Sequence, residues 1–263
     1  MVSEIEACPV CAVPEAGEFL AEYTAWLWGC GATAIRIEKN VWRMAEAFGL
    51  EVAVALLPRH IELTLRACGT GECTVVIRKM AACGISFDIN TRLSRLSWEV
   101  ADRKIGFHEA CRRFDLIKET KPTAWWETLL LASLANASFC RLFGGDAVAM
   151  AVVFTATLAG FYLKQIMLRN HADVRVTFFC CAFFSAAISV GAEIFKWGDP
   201  PDIAIATSVL YLIPGVPYIN AASDLIDRHY LCAFGRFCDA FVLTAALSAG
   251  LATALLLLGI DLF

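Results

Sequence analysis

The chain has 263 residues, 59% of them hydrophobic, with a mean hydropathy of +0.62 and a net charge of −4. Soluble domains are apolar at about 45–50%, so composition argues against a wholly soluble chain. The acidic balance lacks the basic face of a nucleic-acid binder.

Met1-Val-Ser-Glu-Ile-Glu6 opens the chain without a basic stretch before an apolar core, so it does not read as a secretory signal. Cys8-Pro-Val-Cys11 has the spacing of a redox pair or half a zinc site. No second ligand pair follows at suitable spacing, so neither a metal nor a cofactor is expected, and the pair reads as a terminus without a role. The twelve cysteines form no disulfide framework. Cys140, Cys180, Cys181 and Cys238 fall in or beside apolar runs, where a thiol acts as a small hydrophobe. A reduced, cytoplasmic setting suits the remainder.

Helical spacing of Phe19, Leu20, Tyr23, Trp26 and Leu27 predicts a helix over 15–28. Gly29-Cys-Gly31 breaks it. A second helix is predicted over 33–48, with Ile37, Val41, Trp42, Ala45 and Phe48 as its inner stripe and Gly49 as its terminator. Alternation at period two predicts strands at 52–57, 61–67 and 73–79, and a short one at 85–89. Asn90 is expected to cap one long amphipathic helix from Thr91 to about Phe114. Residues 1–120 thus read as a cytoplasmic α/β (α+β) domain. Nothing in it assembles a nucleophile, a base and an orienting group, so no enzyme is expected.

Residues 121–263 differ. Residues 1–123 hold 31 of the 48 Asp, Glu, Lys and Arg residues, and the remainder reads as a membrane domain, an all-α bundle. Trp125 and Trp126 stand where an interfacial aromatic belt would. Five apolar spans follow, at about 124–142, 147–168, 176–195, 203–222 and 238–260. With the first domain inside, Lys164, Arg169, Arg175, Arg228 and Arg236 lie on inner loops, and Arg141 and Lys196 outside. This bias predicts a cytoplasmic N-terminus and a periplasmic or extracellular C-terminus.

The fourth span holds Tyr211-Leu-Ile-Pro-Gly-Val-Pro-Tyr-Ile-Asn-Ala-Ala-Ser-Asp224. Proline removes a donor and clashes with the preceding turn, so Pro214 and Pro217, with Gly215 between them, predict a broken helix. Irregular backbone at membrane depth is tolerated where it lines a cavity, and broken helices build transporter sites. Asn220 and Asp224, four residues apart, share a face. The half-helix from about Pro217 would offer its N–H groups to a carboxylate. Asp224 would hold an ammonium or carry a coupling proton. Polar residues inside spans are candidate sites by default, which adds Asn136, Arg141 and Gln165. Lys164 is read as snorkelling to an interface.

At these residues the chain resembles the threonine/serine exporter family. The likeness rests on Leu212-Ile-Pro-Gly-Val-Pro-Tyr-Ile-Asn-Ala-Ala-Ser-Asp-Leu225, Phe139-Cys-Arg-Leu-Phe-Gly-Gly-Asp146, Tyr162-Leu-Lys-Gln165, Gly31-Ala-Thr-Ala34 with Glu38, and Val41-Trp-Arg-Met-Ala-Glu-Ala-Phe-Gly49. It extends from about residue 15 to 260 and is closest to the larger, five-span subunit of the split type associated with succinate export. The resemblance implies export of threonine, serine or a dicarboxylate across the bacterial inner membrane, driven by protons. It also implies pairing with a second small membrane subunit in a hetero-oligomer. Lys164 stands where the resemblance implies an arginine. The competing expectation is a membrane-anchored sensor or scaffold, which would need no broken helix.

Overall fold

Strict alternation in Ile61-Glu-Leu-Thr-Leu65 puts three apolar side chains on one face of a strand and polar ones on the other. In the computed structural model, which describes residues 13–68, 71–81, 83–121, 123–194 and 201–258, those three are fully buried. They belong to β2 (His60–Ala67), the middle of an antiparallel sheet with β1 (Leu50–Leu56) and β3 (Cys73–Lys79). Val54 pairs with Leu63, and Leu63 with Val76. Cys8 and Cys11 lie outside the described residues.

Two helices precede the sheet. α1 (Val13–Gly29) and α2 (Ala34–Ala47) supply Leu20, Tyr23, Leu27, Ile37, Val41 and Met44 to the core. Gly49 follows α2 at φ +74°, the left-handed turn expected of a helix terminator. Trp42 departs from its expected inward position: it is 59% exposed, and Met44 is buried on that stripe instead.

Two further expectations are corrected. The 85–89 segment is not a strand, because Ser86 caps a helix there, accepting a hydrogen bond from the Ile89 amide at 3.4 Å. The single long helix is two, α3 (Phe87–Ala101) and α4 (Phe107–Lys118). Arg103 between them takes φ +54°, a conformation no α-helix contains. The expected apolar face survives the break: Leu93, Leu96, Val100, Phe107 and Phe114 are buried. Phe19, Phe107 and Phe114 pack edge to face at 5.6 and 5.7 Å.

The chain folds as two units. The first takes Met1–Lys121 and also Val216–Phe237; the second takes Pro122–Gly215 and Cys238–Phe263. The second unit contains α5 (Trp125–Leu142), α6 (Ala147–Arg169), α7 (Val174–Ile194), α8 (Pro201–Ser208) and a 3₁₀ turn at Leu210–Leu212. α9 (Gly215–Ile226) falls almost wholly in the first unit. α10 (Tyr230–Leu258) gives its first two turns to the first unit and the rest to the second. At 29 residues α10 is about 44 Å long, more than the roughly 30 Å a hydrocarbon layer requires.

By length and composition, α6, α7 and α10 can cross a membrane. Residues 203–226 make a fourth if the interrupted pair counts as one span. α5 does not meet that measure; Glu127, Asn136 and Arg141 interrupt its 18 residues.

Candidate functional site

Two groups of polar side chains stand out, one in each unit. The first is centred on Asp224, which is completely buried. Its Oδ1 accepts the Ala34 amide at 2.8 Å, and its Oδ2 lies 3.2 Å from Nη1 of Arg236. Ala34 is the first residue of α2, and Thr33 before it makes no side-chain cap. A carboxylate 190 residues away therefore supplies the anion that a helix N-terminus favours. Arg236 also donates from Nη2 to the Ala32 carbonyl at 2.6 Å and stacks over Trp28 at 4.2 Å. Asn220 donates from Nδ2 to the Gly31 carbonyl at 2.8 Å. Asn220 and Asp224 do share a face of α9, and that face grips the α1–α2 turn.

The Pro-Gly-Val-Pro motif breaks the helix at a single point. Ile213 has φ −62° and ψ 123°, the extended conformation that a following proline imposes. Its own amide closes a 3₁₀ bond to the Leu210 carbonyl at 3.1 Å. Pro214 then separates the 3₁₀ turn from α9. Pro217 does not break anything: it lies in the first turn of α9, where its missing N–H would have had no helical acceptor.

The second group lies inside the bundle of the second unit. Asn136 on α5 donates from Nδ2 to the Thr157 hydroxyl of α6 at 3.0 Å and to the Thr207 carbonyl of α8 at 3.4 Å. Ser185 on α7 donates to the Ala156 carbonyl at 3.2 Å and stands 3.0 Å from the Tyr211 hydroxyl. These tie four helices and the 3₁₀ turn through hydroxyls and an amide. Gly160 makes the approach possible, since a Cβ there would land on both the Ser185 and Tyr211 hydroxyls. One turn beyond Ser185, the hydroxyl of Ser189 is buried and unpartnered among the described residues.

The other expected site residues are dispersed. Arg141 donates to the Gly145 carbonyl at 3.2 Å in the α5–α6 turn. Gln165 donates to the Trp125 carbonyl at 3.2 Å. Neither makes a described hydrogen bond to Asn136.

Lys164, read from the sequence as snorkelling, has neighbours that the sequence did not show. Its ammonium packs among aromatic rings. It sits 4.9 Å from the Phe178 ring centre, 5.6 Å from Phe161 and 6.0 Å from Tyr211. The available signal was a cation in an apolar helix with no acid three or four positions away: Gly160, Phe161, Met167 and Leu168 occupy those places. Among the described residues, no group of three or more His, Cys, Asp or Glu side chains is placed to hold a metal ion.

Residues 18–258 match the family model described as "Putative threonine/serine exporter". Two curated relatives are each 26% identical over 231 residues, 88% of this chain. Both are named "Probable succinate transporter subunit YjjP", one from Klebsiella aerogenes and one from Escherichia coli K12, and the alignment covers 89% and 90% of their lengths. No solved structure matches.

Proposed function

The chain belongs to the threonine/serine exporter family and is a transporter, not an enzyme, and from that premise we propose that it is the larger subunit of a secondary exporter in the bacterial inner membrane. Its cargo is a small carboxylate, with succinate ahead of threonine or serine, because two relatives carry succinate transporter names. The observation that carries this reading is the helix break at Ile213–Pro214, in a segment apolar enough to span and beside buried hydroxyls of the bundle. An anchor has no use for such a break.

The finer features belong to the same proposal. α5 completes five spans, with the first domain cytoplasmic and the C-terminus outside. An odd count leaves half a path, which a second small membrane subunit of opposite orientation completes in a hetero-oligomer. Pro214 forms the break, Gly215 and Pro217 open the half-helix that follows it, and Asn136, Arg141, Gln165, Asn220 and Asp224 serve the path. For Asp224 to carry the coupling proton it has to exchange Arg236 for that proton in each cycle.

The test is counterflow of labelled succinate, threonine and serine in vesicles holding this chain and its partner subunit, with and without a proton gradient. Gradient-dependent uptake of at least one of them is expected only when both subunits are present. Uptake of none, with both subunits folded and inserted, refutes the reading.

A further inference from the structure

Lys164 poses a problem of charge. Its helix, α6, is among those apolar enough to cross a membrane. A cation at such a position normally either pairs with an acid or reaches the interface. Among the described residues Lys164 has no ion-pair partner and no oxygen acceptor. Three aromatic rings at 4.9–6.0 Å surround its ammonium instead. Ring faces stabilise a cation, but they leave its three N–H donors without strong acceptors.

The neighbouring groups are all neutral donors or weak ones. From the 3₁₀ turn comes Tyr211, whose hydroxyl stands 3.0 Å from that of Ser185, and from α7 comes the Cys181 thiol. Ser189 continues the same face of α7 one turn on, its hydroxyl buried and unpartnered. No carboxylate faces Lys164 from α6, α7 or the 3₁₀ turn among the described residues. The set is a positive charge without an ion pair among the described residues, beside a tyrosine whose hydroxyl meets that of Ser185, and its chemistry suits an anion.

We infer that Lys164 is the anion contact of the transport path, binding one carboxylate of the cargo together with the Tyr211 and Ser185 hydroxyls. This rests on the transport reading and names the chemistry of its site. The carboxylate replaces the ring faces as the partner of the ammonium, and Phe161 and Tyr211 form the wall that moves to admit it. Ser189 is within reach of a second polar end: four residues of helix separate it from Ser185, about 6 Å. An extended dicarboxylate such as succinate has a second polar group at that scale, whereas those of threonine and serine lie closer to the carboxylate. A lysine serves an anion as a point charge and not as a fork, so arginine is expected to substitute in part only.

The test separates this inference from the transport reading. The chain with its partner subunit, in detergent, is heated with succinate, threonine or chloride at equal ionic strength. Wild type is expected to be stabilised by at least one of the two carboxylates over chloride, Lys164→Met by neither, and Lys164→Arg by an intermediate amount. Tyr211→Phe should weaken apparent affinity by several-fold. Midpoints without ligand report folding of each variant, and the apolar Met suits the ring-lined position. In counterflow, Lys164→Met should raise the KM for the cargo about tenfold or more, the scale of one charge-assisted hydrogen bond. Equal stabilisation of wild type and Lys164→Met, or none in either while counterflow proceeds normally, overturns the inference and leaves the transport reading standing. Lys164-dependent stabilisation without any counterflow sustains the anion site and removes the transport reading.

Discussion

Arg236 on α10 meets Asp224 on α9 at 3.2 Å, and the carboxylate they share with α2 also caps that helix at Ala34. Both charges are withdrawn from water: the Asp224 side chain is 0% exposed and that of Arg236 14%. Taking one partner away leaves an uncompensated buried charge, which costs about 3–5 kcal/mol, whereas replacing both by apolar groups is often nearly neutral. Asp224→Asn is therefore expected to lower the unfolding midpoint of the first unit markedly. Asp224→Asn with Arg236→Met should recover much of the loss. Chemical unfolding of the full chain in detergent, followed by tryptophan fluorescence, reads both. If Asp224→Asn unfolds like wild type yet exports nothing, Asp224 serves the transport step and the pair adds little to the fold.

Tyr23 makes the first unit sensitive to alkali. Its ring is fully buried and its hydroxyl donates to the Leu93 carbonyl at 2.8 Å. Burial pushes the phenol well above its ordinary value of about 10. The folded state thus holds this proton more tightly than the unfolded state. The resulting stability is complete below pH 10 and declines as pH rises further, because the unfolded phenol ionises first. Tyr23→Phe should lower stability at pH 8 by about 1 kcal/mol through the lost hydrogen bond and flatten the decline between pH 10 and 11. An unchanged slope would mean that another group governs alkaline unfolding.

The parts of the fold that follow periodicity were readable from the chain alone: α1, α2, the three strands and the apolar face of Leu93 through Phe114. The break between α3 and α4 was not, since Arg103 in a left-handed conformation leaves no trace in composition. Ile85-Ser-Phe-Asp-Ile89 alternates like a strand, and only the cap by Ser86 shows otherwise. The Pro214 break was legible because a proline acts on its immediate neighbour. The partners of Asn220 and Asp224 were not, because Gly31 and Ala34 are about 190 positions away and hydropathy alone assigns α9 to the bilayer. The rings around Lys164 were hidden for a related reason: which side chains of α7 and the 3₁₀ turn meet a residue of α6 is not recorded in a linear pattern.

Gly160 fixes how closely α6 meets α7 and the 3₁₀ turn. A Cβ there would overlap the Ser185 and Tyr211 hydroxyls and come within 3.2 Å of the Tyr211 ring. Gly160→Ala is expected to destabilise the second unit by about 1–3 kcal/mol, the range for an overpacked core. Adding Ser185→Ala and Tyr211→Phe removes the two oxygens it strikes and should return part of that. The coupling is measured as a mutant cycle on unfolding midpoints in detergent. Strict additivity would place the strain of Gly160→Ala elsewhere.

Cys30 and Cys83 supply a chemical test of the first unit. Their sulfurs stand 3.5 Å apart, with Cys30 buried and Cys83 partly exposed. A hydrogen bond from the Cys30 thiol stabilises the Cys83 thiolate and pulls the Cys83 pKa down, while that same bond, then burial, raises Cys30. Thiolate is the nucleophile, so Cys83 should be alkylated first of this pair at pH 7. Burial pushes Cys111 up to about 11, so it too should lag behind Cys83. In Cys30→Ala the donor is gone, and alkylation of Cys83 at pH 7 should slow several-fold while its rate at pH 10 changes little. Timed iodoacetamide labelling with peptide mass spectrometry follows each thiol separately. A Cys83 rate at pH 7 that is unaltered by Cys30→Ala would mean that the sulfur–sulfur contact does not tune it.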